Sequence, residues 1–176
     1  VNARNLAYQA TALIIACHHN QPKLVKLLLD AGADVEAGNS SYGTTALVFA
    51  SKFGHLEVVK LLLKSGAKVD TTLKNGWTAL MSAAWFGHVD VAKELLAAGA
   101  APNQMKHKDV TALMLAASRN HPEVAQILLE NEALVDARDV KGRTALFRAA
   151  VSGSLRTAHL LIEAGADVNA RSKRGN

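Results

Sequence analysis

Five stretches of the chain open on the same tripeptide: TALIIAC at Thr11, TALVFAS at Thr45, TALMSAA at Thr78, TALMLAA at Thr111 and TALFRAA at Thr144. The steps between these threonines are 34, 33, 33 and 33 residues. A fixed period of that length marks a stacked array, in which each unit is a supersecondary element unable to bury its apolar face alone. Function must then be sought on the surface of the array, and the question becomes which residues face outward from the shared core.

Within each period the apolar residues move from one helical stripe to another. After Thr78 a short helix, ALMSAAWF, is broken by Gly87, and VDVAKELLAA forms a second helix that ends at Gly99, a residue suited to the left-handed cap. Each unit reads as a helical hairpin. The five threonines stand where an N-cap oxygen is wanted. Second helices such as LVKLLL from Leu24 and VVKLLL from Val58 put apolar groups at i, i+3 and i+4 and turn Lys26 or Lys60 outward. Segments such as AKVDTTLKNGW and ALVDARDVKGR, polar around a turn glycine, connect the hairpins as projecting loops.

A composition of 49% hydrophobic and 20% charged residues is that of an ordered protein and not of a disordered one. No apolar run approaches the roughly 18 residues of a membrane span, so no direct membrane insertion is expected, and VNARNLAYQ lacks the marks of a signal peptide. The lone Cys17 excludes an internal disulfide framework and fits a reducing compartment. The chain is read as intracellular, cytoplasmic or nuclear.

The combined pattern, D-x-x-G-x-T-x-L-x-x-A-A-x-x-G-H-x-x-V-x-x-L-L-x-x-G-A-x-V, resembles the ankyrin repeat along the whole chain. The resemblance implies an all-α repeat solenoid of stacked helix-turn-helix units with β-hairpin-like loops, whose concave side is formed by loop tips and first helices. One ankyrin-repeat domain is expected over 1–176, with full repeats at about 7–40, 41–73, 74–106, 107–139 and 140–172 and partial units flanking them. VNAR at Val1 recurs at Val168 and Gly175 aligns with Gly142, so further repeats are expected on one or both sides.

Ankyrin units commonly read Thr-Pro-Leu-His; here Ala replaces Pro, and Ile14, Val48, Met81, Met114 or Phe147 replaces His. Apolar packing is expected to stand in for the polar network of that histidine. Losing a compatible proline costs about 0.4–1 kcal/mol through a freer unfolded chain. Repeat 4 departs furthest, with Asp109 and Asn120 at usual glycine positions and Glu132 at the terminal one. Since glutamate tolerates positive φ poorly, the Asn131-Glu132 turn is expected to be altered.

Enzymatic chemistry finds little foothold. GNSSYGTT, from Gly38, has the glycine spacing of a phosphate loop, but Thr44 stands where lysine is needed and a helix precedes it. His55, His88 and His121 recur at one repeat position; stacked helices about 8–10 Å apart hold such residues too far apart to share a zinc with bonds of about 2.0–2.1 Å. They are read as helpers of the second helix's start. His18 and His19 form a solvated pair. No nucleophile is paired with a base, and the resemblance implies no catalysis and no cofactor.

A net charge of +5 is concentrated in the later loops: Lys74, then Lys106, His107 and Lys108, then Lys141 and Arg143, then Arg171, Lys173 and Arg174. Aligned loop tips would make these a positive ridge, suited to phosphate or to an acidic protein segment. The interleaved stacking residues of a single-strand binder are missing, so protein is favoured over nucleic acid, and a small molecule is not expected. Six of the eight aromatic residues fall between Tyr42 and Phe86. Phe53, Trp85 and Phe86 sit at the exposed end of first helices in the ankyrin pattern, Trp77 and Tyr42 sit on overhanging loops, and Lys52 and Arg119 stand at the rim. That composition is characteristic of an interaction hot spot; for any single aromatic, filling a gap between repeats is the competing reading. The expected partner-binding set is thus Tyr42, Lys52, Phe53, Trp77, Trp85, Phe86 and Arg119, with Lys106, Lys108, Lys141 and Arg143 of the ridge. The function expected is a scaffold holding a protein or peptide, with a structural spacer in a longer array as the alternative. Asn169, in LLIEAGADVN, resembles asparagines hydroxylated in ankyrin segments.

Overall fold

The computed structural model describes residues 10–39 and 43–173. Val1, Tyr42, Arg174 and Gly175 therefore lie outside the described residues. Ten helices follow in pairs among those described: α1 (Ala12–His18) and α2 (Pro22–Asp30), α3 (Ala46–Phe53) and α4 (Leu56–Lys64), α5 (Ala79–Phe86) and α6 (Val89–Ala97), α7 (Ala112–Ser118) and α8 (Pro122–Glu130), α9 (Ala145–Val151) and α10 (Leu155–Glu163). None is long and apolar enough to cross a membrane.

Helices of seven to nine residues are too short to persist alone in water. Two features hold them. Each repeat threonine is an extended, buried N-cap, and its hydroxyl accepts the backbone N–H of the third residue on, at 3.3 Å from Ile14, 3.5 Å from Val48, 3.1 Å from Met81, 3.3 Å from Met114 and 3.2 Å from Phe147. Stacking does the rest. The first helices form one row, α1 to α9, and the second helices another, each helix touching its counterpart in the neighbouring repeats. The first-helix row packs more closely because alanines line it: Ala46, Ala50, Ala79, Ala83, Ala84, Ala112, Ala116 and Ala117 are all buried. Ile14, Val48, Met81 and Met114, which occupy the family's histidine position, are buried as well, so apolar packing does replace that polar network; Phe147 is half-buried.

Loops close on themselves and on each other. Leu73 N–H bonds to the Trp77 carbonyl at 2.9 Å, Lys106 N–H to Val110 at 3.1 Å and Asp139 N–H to Arg143 at 3.1 Å. Successive tips are joined by His107 N–H to the Asn75 carbonyl at 3.2 Å, Val140 N–H to Lys108 at 3.1 Å and Lys173 N–H to Lys141 at 2.8 Å. The tips thus run as a continuous edge beside the first helices.

Repeat 4 is irregular in backbone angle, but its terminal turn is not the altered one expected. Five non-glycine residues among those described have positive φ, and four of them, Lys108, Asp109, Asn120 and Glu132, lie in this repeat. Yet Glu132, at φ 64°, keeps the bonds of a glycine turn: its N–H reaches the Leu129 carbonyl at 3.1 Å and Ala133 N–H reaches Leu128 at 2.9 Å. The Gly99 turn makes the same pair at 2.9 and 3.0 Å. The reason lies in the preceding repeat. The Asn103 amide donates to the Glu132 carbonyl at 2.9 Å and accepts Leu134 N–H at 2.8 Å, fixing the turn from both ends.

Candidate functional site

The histidines expected to start second helices do stand at their N-cap positions, but their rings do no capping. Instead each ring reaches back one repeat. Nε2 lies 3.2 Å from the His18 carbonyl for His55, 2.9 Å from Lys52 for His88 and 3.2 Å from Trp85 for His121. A carbonyl only accepts, so Nε2 carries the proton. The arrangement explains two glycines: a Cβ on Gly54 would fall 2.6 Å from the His88 ring, and one on Gly87 2.5 Å from that of His121. Since Lys52 and Trp85 are site candidates, these bonds fix the backbone on which the candidate surface is built. Among the described residues, no group of three or more His, Cys, Asp or Glu side chains is arranged to hold a metal ion.

Between α3 and α5 lies a groove of about 430 Å³. Val48, Phe49 and Leu73 supply its apolar floor; Trp77, Trp85 and Phe86 its aromatic wall; Lys52, Asn39 and Asn75 its polar edge. Trp77 and Trp85 meet edge to face with centroids 6.1 Å apart, one contributed by a loop and the other by a helix. The Trp77 indole N–H is bonded to Ser82 Oγ at 2.7 Å, and Ser82 in turn donates to the Thr78 carbonyl at 3.1 Å, so the ring is fixed through the helix's first turn. Both indoles and Phe49 are half-buried against the core; Phe53 and Phe86 remain 39% and 43% exposed. Gap filling and surface display therefore coexist in one cluster. Phe49 also borders a second, more apolar hollow of about 570 Å³ with Ile14, Ile15, His18 and His19.

Every ring of the wall carries a cation. Lys106 Nζ is 4.0 Å from the Trp77 centroid, Arg119 Cζ 3.8 Å from that of Trp85, and Lys52 Nζ 5.8 Å from Phe86 and 5.3 Å from Phe53. Lys106 pays in solvation: burial, then the charges of Arg148 and Lys108, lower its pKa below the ordinary lysine value. Phe53 packs edge to face on His18, with centroids 4.7 Å apart. Burial, followed by the charges of His19, His55 and Lys52, lowers the pKa of His18.

The basic ridge is only partly as expected. Lys108 and Lys141 are exposed at the tips, but Lys106 turns toward Trp77 and Arg143 is consumed by an ion pair. The fully buried Asp139 carboxylate receives Arg143 at 2.8 Å and Arg148 at 2.7 Å, together with the backbone N–H groups of Lys141 at 2.9 Å and Arg143 at 3.0 Å. Burial alone would raise its pKa; the hydrogen bonds from Arg143, Lys141 and Arg148 prevail and hold it at about 2. Burial also lowers the Arg148 pKa, against the opposing pull of Asp139. Sequence reasoning missed Asp139 and Arg148; the D-x-x-G-x-T pattern beginning at Asp139 was the available signal, and nothing local announced Arg148. Asn169 is exposed, with its backbone N–H held by Asp167 Oδ1 at 2.9 Å.

A family model described as ankyrin repeats (3 copies) matches residues 13–106 and, overlapping it, 98–172. No curated protein matches the chain. Repeats of this kind are generally protein–protein interaction modules and typically non-enzymatic. Its matched span takes in all ten helices except the first residue of α1, and the chain belongs to the ankyrin-repeat family.

Proposed function

We propose that the chain recognises a segment of another protein in the groove between α3 and α5. The observation that carries this reading is the meeting of Trp77, Trp85 and Phe86 on one open groove, with an apolar floor and cations at the edge. Partly exposed aromatic residues seldom gather on a surface that meets nothing, and such anchors dominate the energetics of interfaces. Lys52, Phe53 and Arg119 extend the contact surface, and the exposed tips Lys108 and Lys141 steer an approaching partner more than they hold it. Tyr42 belongs to the proposed set by its sequence position alone. A spacer role is the second reading, favoured by the apolar Val151 and Leu155, which are 74% and 79% exposed on the fifth repeat.

Selection of linear peptides from a random display library tests the groove. Selected peptides should lose about 2 kcal/mol, roughly thirtyfold in affinity, with Trp85→Ala or Phe86→Ala, mainly through faster dissociation. Peptides that bind equally well to the double variant, still folded by circular dichroism, would leave the spacer reading standing. Asn169 is proposed separately as a hydroxylation site. Co-expression with an asparaginyl dioxygenase, followed by mass spectrometry showing no added oxygen at Asn169, would refute that assignment.

A further inference from the structure

The three aromatic rings of the groove wall all belong to the third repeat, whereas the cations on them come from three successive repeats: Lys52 from the repeat before, Lys106 from the last position of the third repeat itself and Arg119 from the repeat after. An aromatic face is the electron-rich side of the ring and its edge the electron-poor side. An aromatic pocket with open faces attracts a ligand's cation. Here each ring already has a cation over one face, Lys52 lines the groove itself, and Lys106 and Arg119 stand on the two indoles of its wall. Among the described residues no carboxylate lines the groove. Lys52, Lys106 and Arg119 form no ion pair among the described residues, in contrast to Lys26, Lys60, Arg138, Arg143, Arg148 and Arg156. The buried carboxylate of Asp139 is already shared by Arg143 and Arg148.

From this charge complementarity we infer that the groove selects an acidic segment: one apolar side chain on the floor of Val48, Phe49 and Leu73, flanked by Asp or Glu residues that meet Lys52, Lys106 and Arg119. The inference rests on the proposed groove and adds the sign of the partner. The rings hold the cations in place, so a carboxylate finds donors already positioned and meets less ordering cost than it would with free lysine chains. A basic segment finds a cation already on each ring and three like charges around the wall, a repulsive element that discriminates between partners. The adjoining hollow of Ile14, Ile15 and Phe49 continues the groove in the direction away from Lys106 and Arg119. The acidic residues of the ligand therefore concentrate toward the fourth repeat and its apolar residues toward the first.

Three labelled 12-residue peptides test the inference. They share the same leucines, with every other position Glu, Gln or Lys, and are titrated against the intact protein by fluorescence polarisation. Emission is followed in parallel, because both tryptophans of the chain lie in the groove. The Glu peptide should bind at least about tenfold more tightly than the Gln peptide, and the Lys peptide more weakly than either. In the Lys106→Glu/Arg119→Glu variant, checked for folding by circular dichroism, that order should invert. Equal binding of the Glu and Gln peptides, or preference for the Lys peptide, overturns the acidic selection and leaves the groove reading intact. Binding by none of the three takes the groove reading down as well. Competition by a single-stranded oligonucleotide as effective as that by the Glu peptide would assign the site to polyanions in general and overturn the inference.

Discussion

Replacing Asp139 by asparagine keeps the shape of the side chain and an oxygen to accept the N–H groups of Lys141 and Arg143, but removes the charge that faces two guanidinium groups. The carboxyl titrates at about 2 in the folded chain against an ordinary value of 3.8. The unfolded chain therefore takes up the proton first as acid is added. The resulting stabilisation is complete above about pH 4 and is lost as the pH falls through the folded value. A difference of nearly two pK units corresponds to about 2.5 kcal/mol. Loss of the charge also leaves Arg148, only 16% exposed, without a counter-ion, so Asp139→Asn should cost about 3 kcal/mol at neutral pH, at the lower end of what breaking a buried pair costs because Arg143 is partly solvated. Denaturant unfolding followed by far-ultraviolet circular dichroism, with the slope checked for constancy, gives the difference between the two proteins at each pH. It should be about 3 kcal/mol at pH 7 and shrink to about 1 kcal/mol by pH 2, where about half of the folded chains carry a protonated, asparagine-like Asp139. A difference independent of pH across that interval would refute the assignment of the low pKa to Asp139.

Three further outcomes follow from particular residues. Burial raises the Cys17 thiol to about 12, so a thiol-directed reagent at pH 8 should label the protein only at the rate at which it opens; rapid stoichiometric labelling of the native chain would contradict that. Glu132→Gly should stabilise the protein by about 1 kcal/mol by removing the cost of a left-handed L-residue, measured as a shift in the denaturation midpoint. Gly87→Ala should destabilise by about 2 kcal/mol, combining that same left-handed cost with displacement of the His121 ring, and His121→Ala in the same background should add less than it does alone; strict additivity in the denaturation cycle would show that the ring and the glycine are independent.

The helices were legible because their signals are local and recur: a threonine that caps, alanines that pack, a glycine that ends the turn. What repeats was readable, and what couples one repeat to another was not. Glu132 illustrates the difference. Its own preference argues against the left-handed turn, yet Asn103, 29 residues earlier, clamps the Glu132 carbonyl and overrides that preference. The histidines were misread for a similar reason, since their bonds reach 36 or 37 residues back and leave no mark in the residues beside them. At the groove, crowding of Trp77, Trp85 and Phe86 into one repeat was visible in the sequence. The convergence of Lys52, Lys106 and Arg119 on those rings was not, because the three belong to different turns of the period. Lys106 and Arg143 looked like members of one charged ridge until Trp77 and Asp139 drew them apart.

The helices pack substantially only within a repeat or between adjacent repeats, and this governs how the chain finds and loses its structure. Each helix-packing contact closes a loop of about one period or less, so the closure cost is the same at every position along the array. Folding of such a chain can nucleate wherever the local core is richest and then spread to either side. Burial is richest in α5 and α7, with six buried residues each, against four in α1 and two in α9. Nucleation is therefore expected around the third and fourth repeats. The aromatic wall lies on that segment, so the groove is expected to take shape with the nucleus and not after it.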